Sequence, residues 1–150
     1  MPNKLKEGAE TDKMILINEF DTRYNENYSV YLGVFPYKMY DSDFKFILDG
    51  AFEHMQYWVK SLRWNPTSPN SHVIADFSIG RPVYITDIDG EEHTLTKEKL
   101  IKGLKVAISL YGGLLEYRNK ELQTFAFTSG LCDFIVQYSL YGTYKYINEN

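Results

Sequence analysis

The stretch "RPVYITDIDGEEHTLTKEKLIKGLKVAI", residues 81–108, reads as a strand, a tight turn, a second strand and a helix. Residues 81–88 are rich in β-branched and aromatic side chains, the composition of a strand. Asp89-Gly90 follows, a pair that tolerates positive φ and marks a hairpin. "EEHTLT" (91–96) is then the returning strand. From Lys97 to about Tyr111 the period changes, and Leu100, Ile101, Leu104, Ile108 and Tyr111 fall on one helical face. Thr96 is placed to cap this helix, Glu98 lies in its first turn and forms an i, i+4 pair with Lys102, and Gly112-Gly113 ends it.

Working towards the N-terminus, "NPTSPNSH" (65–72) is a surface loop with two prolines. Before it, Phe44, Ile47, Leu48, Ala51, Met55, Trp58, Val59 and Leu62 form the stripe of an amphipathic helix from Asp41 to about Arg63. Asp41 or Ser42 can cap it. "MILINEF" (14–20) and "YSVYLGVF" (28–35) read as strands of a second hairpin, closed by Pro36. Towards the C-terminus, "LQTFAF" (122–127) alternates like a strand. A further helix starts at Thr128 or Ser129, buries Leu131, Phe134, Ile135 and Tyr138, and ends at Gly142. "TYKYI" (143–147) is read as a last strand. The expectation is one α+β domain over residues 1–150, with residues 1–12 a flexible tail. Its antiparallel sheet of about four to six strands packs with about three helices in a single pair of layers.

The totals bound the function. The chain has 150 residues, 44% hydrophobic and 24% charged, in the range of one globular domain. No apolar run approaches the roughly 18 residues that cross a bilayer, and the polar N-terminus has no signal core. One cysteine, Cys132, excludes an internal disulfide framework and fits a reducing cytoplasm. The net charge is −4, and each half of the chain carries 8 basic and 10 acidic side chains. With no basic half to neutralise phosphates, nucleic acid is disfavoured as a partner. The notable total is aromatic, with 13 Tyr, 9 Phe and 2 Trp. Tyrosine buries a ring while its hydroxyl stays satisfied, which suits both a wet-rimmed core and an interface.

Candidate chemistry is sparse. Placing Gly90 at the sixth position of a calcium loop puts Ile85 and Thr96 where carboxylates are needed. Asp87, Glu91 and Glu92 instead read as a hydrated hairpin tip. His54, His72 and His93 have no zinc spacing, so no metal and no cofactor is expected. Cys132 adjoins an apolar face and reads as a buried, inert thiol. No phosphate-binding glycine loop or nucleophile elbow is present. What remains are aromatic residues near loops: Tyr37 and Tyr40 in "FPYKMYDSDF" (35–44), and Arg63 with Trp64 at the end of "YWVKSLRW" (57–64). Such side chains anchor protein interfaces, so these four are the expected partner-binding residues and no catalytic residue is assigned.

Three segments carry a resemblance: "ILDGAFEHMQYWV" (47–59), "SIGRPVYITDIDGEEHTLTKEKLIKGLKVAI" (78–108) and "SGLCDFIVQYSLYG" (129–142). Together they resemble a widespread group of small proteins encoded by phages and integrative elements of Gram-positive bacteria. The matching residues are Ala51, Glu53, Tyr57 and Trp58, then Leu95, Thr96, Glu98, Lys99, Lys102 and Gly103, then Asp133, Ile135, Val136, Gln137, Tyr138, Leu140 and Gly142. His54-Met55 stands where the group has Gly-Gly. Most of these residues read as structural; Gln137 is the exception, a polar side chain beside a buried helix face that needs partners if it is buried. The resemblance implies an accessory role. The expected function is non-enzymatic: protein–protein binding to a host or phage protein, as an inhibitor of a host defence system, anti-CRISPR-like or otherwise. The alternative is a small-ligand binder, such as a sponge for a signalling nucleotide. A homodimer that hides aromatic rings is compatible with either.

Overall fold

The computed structural model describes residues 15–16, 38–111, 117–118, 121–122 and 124–148. The chain is α+β. In order, its elements are β1 (Ile15–Leu16), β2 (Lys38–Met39), α1 (Asp41–His54), β3 (Val59–Trp64), α2 (Val73–Ser78), β4 (Val83–Asp87), β5 (Glu92–Leu95), α3 (Lys97–Tyr111), β6 (Tyr117–Arg118), β7 (Glu121–Leu122) and α4 (Ser129–Tyr141).

The antiparallel sheet has three strands in the order β3-β4-β5. Leu62 stands opposite Ile85, and Ile85 opposite His93. Along β4, Val83, Ile85 and Asp87 are buried while Tyr84 and Thr86 are half-buried, the two-residue period of a strand with one inward face. Asp89-Gly90 forms the expected turn, with Gly90 at a φ of 89°. The two-residue strands form a separate set in the order β1-β2-β7-β6, with β2 and β7 parallel.

Helix α4 sits at the centre, packed on both α1 and α3. It is apolar on more than one side: Cys132, Phe134, Ile135 and Val136 are all buried, as a helix enclosed by neighbours requires. Two glycines let those neighbours close in. A Cβ on Gly103 of α3 would lie 2.4 Å from the Ile135 carbonyl oxygen and 2.2 Å from Ser139 Oγ. A Cβ on Gly50 of α1 would lie 2.8 Å from Cys132 Sγ. The core between these helices and the sheet holds Phe44, Leu48, Trp58, Phe77, Val83, Ile85, Leu104 and Ile135.

Several expectations need correction. Among the described residues the antiparallel sheet has three strands where four to six were expected, and there are four α-helices where about three were expected. Residues 59–64, read as the end of a helix, are strand β3. The helix stops at His54, a single 3₁₀ turn at Met55–Tyr57 follows, and the chain then pairs with β4. Trp58, Val59 and Leu62 suit either period, and β4 supplies the edge that decides between them. Helix α2 was not anticipated. Residues 122–127 give only β7 and a 3₁₀ turn at Thr124–Ala126. Residues 143–147 form no strand. The expected tail at 1–12, and most of the hairpin at 14–35, lie outside the described residues.

Neither Asp41 nor Ser42 caps α1: the helix already includes Asp41, Tyr40 is its N-cap, and the Asp43 carboxylate accepts from the Tyr40 N–H. The caps read for α3 and α4 are present. Thr96 Oγ1 accepts from the Lys99 N–H, Thr128 Oγ1 accepts from the Leu131 N–H, and Gly142 closes α4 at a φ of 71°. That positive φ is the left-handed cap that glycine adopts most readily.

Candidate functional site

Among the described residues, four aspartates are buried to within 1% of complete, Asp43, Asp76, Asp87 and Asp133. A buried carboxylate is costly unless donors surround it, so each marks a place where the fold concentrates hydrogen bonds. Two of them, Asp43 and Asp76, fix loops and a helix start. Asp43 accepts from the Tyr40 N–H and from Thr124 Oγ1, tying the start of α1 to the turn before α4. Asp76 accepts from Trp64 Nε1, Ser71 Oγ, and the N–H and Oγ1 of Thr67, which folds the 65–72 loop around it. Burial pushes its pKa up, but the hydrogen bonds from Thr67, Ser71 and Trp64 outweigh burial and hold it below the usual range.

Asp87 and Asp133 build the polar centre. Asp133, one turn into α4, is served by side chains from elsewhere in the chain. Trp58 Nε1 donates to Oδ1 at 2.8 Å, and the Tyr57 hydroxyl donates to Oδ2 at 2.6 Å. His54 Nδ1 lies 3.0 Å from Oδ2. Gln137 Nε2, four residues along the helix, donates to Oδ1 at 3.1 Å. Gln137 is itself fully buried, and its further partners are the N–H and carbonyl oxygen of Tyr146 and the Tyr57 hydroxyl. The requirement read from sequence, that a buried Gln137 needs partners, is therefore met.

Asp87, on the inward face of β4, accepts from the Tyr141 hydroxyl at 2.7 Å and from the N–H groups of Asp89 and Glu91 at 3.0 Å. His93 Nε2 lies 3.0 Å away. Burial alone would raise the Asp87 pKa. The donors from Tyr141, Glu91, His93 and Asp89 reverse the sign and hold it well below the ordinary carboxylate value. The reading of Asp87 as a hydrated tip residue is thus corrected: it is fully buried, while Asp89, Glu91 and Glu92 are exposed.

Aromatic rings join the two carboxylates. Tyr146 stacks on Trp58 with centroids 5.5 Å apart and planes 7° from parallel. Tyr141 meets Trp58, His93 and Tyr146 edge-on, at 6.0, 4.7 and 5.8 Å. Lys145 Nζ lies 4.9 Å from the Tyr141 ring centre and 5.2 Å from that of Tyr146. Desolvation, reinforced by hydrogen bonds to Asp133, Asp87 and Asp89, pushes the hydroxyl pKa values of Tyr57, Tyr141 and Tyr146 upward.

The residues expected to bind a partner are scattered. Tyr37 lies outside the described residues. Tyr40 is buried at the start of α1, and so offers no exposed ring. Arg63 is exposed on β3, pairs with Glu92 at 3.0 Å and covers the Tyr84 ring at 4.3 Å. Trp64 is half-buried and committed to Asp76. Sequence reasoning left out His54, Asp87, His93, Asp133 and Tyr146 as a constellation. It took the three histidines by helical spacing, whereas the hairpin brings His93 beside Asp87 and Glu91, with ligand-type atoms of all three within 4.8 Å of one another. Asp87 already receives four donors there, so a cation would have to displace some of them. Cys132 is buried as expected, and burial lifts its pKa to about 12, away from thiolate chemistry. No helix among the described residues is long and apolar enough to cross a membrane.

Residues from the three segments of the resemblance converge here: Tyr57 and Trp58 from the first, Asp87 and His93 from the second, Asp133 and Gln137 from the third. No family model matches the chain, and no curated protein or solved structure matches it.

Proposed function

We propose that the protein acts without catalysis, by binding another protein, as an accessory factor of a phage or mobile element that inhibits a host defence system. The observation that carries this reading is how the polar groups are used. Asp87 and Asp133 each accept from several internal donors, and His54 and His93 are each hydrogen-bonded to one of these carboxylates. Carboxylates so engaged are spent on positioning the chain. A carboxylate that acts as general base needs a free lone pair within reach of a substrate proton.

The surface supports the same reading. Ile79, Ile88, Phe125 and Ile147 are each more than half exposed, and Phe46 meets Phe125 edge-on at 6.4 Å. Apolar side chains of this size are the usual material of interface cores. The even, modest negative charge disfavours nucleic acid.

The test is affinity capture of the tagged, full-length protein from lysate of an element-bearing Gram-positive host, at native salt. A stoichiometric protein partner is expected. The competing reading is a sponge for a signalling nucleotide, which predicts no such partner and a melting temperature that rises with nucleotide by RT ln(1 + [L]/Kd).

A further inference from the structure

Residues 143–148 follow α4 without forming helix or strand, yet one residue among them is held on every side. The side-chain amide of Gln137 accepts from the Tyr146 N–H at 2.7 Å and donates to the Tyr146 carbonyl oxygen at 2.9 Å. One buried side chain therefore bonds both main-chain groups of one residue, as a neighbouring strand would, and the Tyr57 hydroxyl donates to the same carbonyl oxygen at 3.0 Å. The Tyr146 ring lies flat on Trp58, and its hydroxyl donates to Asp89 Oδ2 at 2.6 Å. Lys145 lies 4.0 Å from the same Asp89 carboxylate and over two tyrosine rings. Of the flanking residues, Gly142, Thr143 and Lys145 are exposed and Ile147 is 65% exposed, while Tyr144 is half-buried with its ring 5.3 Å from that of Phe134.

Main-chain hydrogen bonds combined with a seat for one side chain are how proteins hold extended peptides. The seat here is formed by Trp58, Gln137, Tyr141 and Asp89, which lie on other elements and are positioned by Asp133 and Asp87. The rim at the β4–β5 turn carries Asp89, Glu91 and Glu92, all exposed and acidic. A basic segment complements that rim, and Lys145 already does so.

We propose that this seat is a recognition site for a basic, tyrosine-bearing extended segment of a partner protein, and that residues 143–148 occupy it until the partner displaces them. The inference rests on the protein-contact reading above and names the chemistry of the partner. Because the resident is tethered, a partner displaces it by adding contacts of its own to those it remakes.

The test uses the full-length chain carrying Tyr146→Ala and a fluorescent peptide of residues 143–148, TYKYIN. We expect saturable binding to this variant, at least tenfold tighter than to the unaltered chain, whose own segment competes. The peptide TYKAIN should bind at least tenfold more weakly than TYKYIN. Adding Gln137→Met to the variant should abolish binding, and raising salt should weaken it. A variant that melts cooperatively but binds TYKYIN no better than TYKAIN, or no better than the unaltered chain does, overturns the proposal. Should Tyr146→Ala fail to fold, the unaltered chain is cut at a protease site inserted between Gly142 and Thr143. Exchange of the cut segment for labelled TYKYIN then supports the proposal, and failure to exchange overturns it. A protein partner captured from lysate together with no peptide binding would leave the contact reading standing and reject this seat; peptide binding without any captured partner would do the reverse.

Discussion

Asp133 receives side-chain donors from Trp58, Tyr57 and Gln137 and sits beside His54, and none of its oxygens faces water. Asp133→Asn places an amide donor among donors and leaves at least one of them unpaired. A cost of about 3 kcal/mol follows from buried donors losing their acceptor, measurable as a lower urea midpoint with an unchanged m-value. Gln137→Met keeps the volume but strands the Tyr146 N–H and leaves the Tyr146 carbonyl only the Tyr57 hydroxyl, for a loss of about 2 kcal/mol in the same assay. Asp87 makes a pH prediction. Its folded pKa lies below its unfolded value, so its stabilising effect is complete above the ordinary carboxylate range and fades as pH falls through the folded value. The stability gap between the unaltered chain and Asp87→Asn should therefore be widest near neutrality and shrink in urea titrations below about pH 4. Asp87 was read as a hydrated tip residue, although it shares the parity of Val83 and Ile85 along β4, which turns it inward. The meeting of Trp58 with Asp133 was not: they lie 75 residues apart, and only the packing of α1 against α4 joins them.

At the scale of elements, α3 and α4 were readable from their stripes and caps, since local rules govern both their ends and their buried faces. Strand β3 was not, because its apolar spacing suits a helix and only pairing with β4 selects the strand. The seam between α3 and α4 makes a prediction of opposite sign to helix propensity. Gly103→Ala gains up to about 1 kcal/mol from propensity. It also drives a Cβ against the Ile135 carbonyl, which belongs to backbone and cannot rotate away. Such overpacking typically costs about 1–3 kcal/mol or more, so the clash should win and thermal unfolding should shift down. Gly130→Ala in α4 meets no atom within 4 Å and is the matched control. It should leave stability unchanged or raise it by up to about 1 kcal/mol.

Across the whole molecule, chemistry and architecture fall in different places from those the sequence suggested. The acidic hairpin at 85–96 supplies one buried carboxylate to the core and an exposed acidic rim. The expected interface residues are dispersed: Tyr40 is inside, Trp64 holds a loop, and Arg63 lies exposed on β3. Convergence of side chains from α1, the β4–β5 hairpin, α4 and residues 144–146 depends on tertiary packing, which no local pattern encodes. Purification of the tagged chain from an element-bearing host, followed by size-exclusion chromatography with light scattering, tests the proposed function most directly. We expect a species heavier than the 17.5 kDa chain, containing a second protein in fixed ratio. Recovery of the chain alone, with a nucleotide raising its melting temperature, would contradict it.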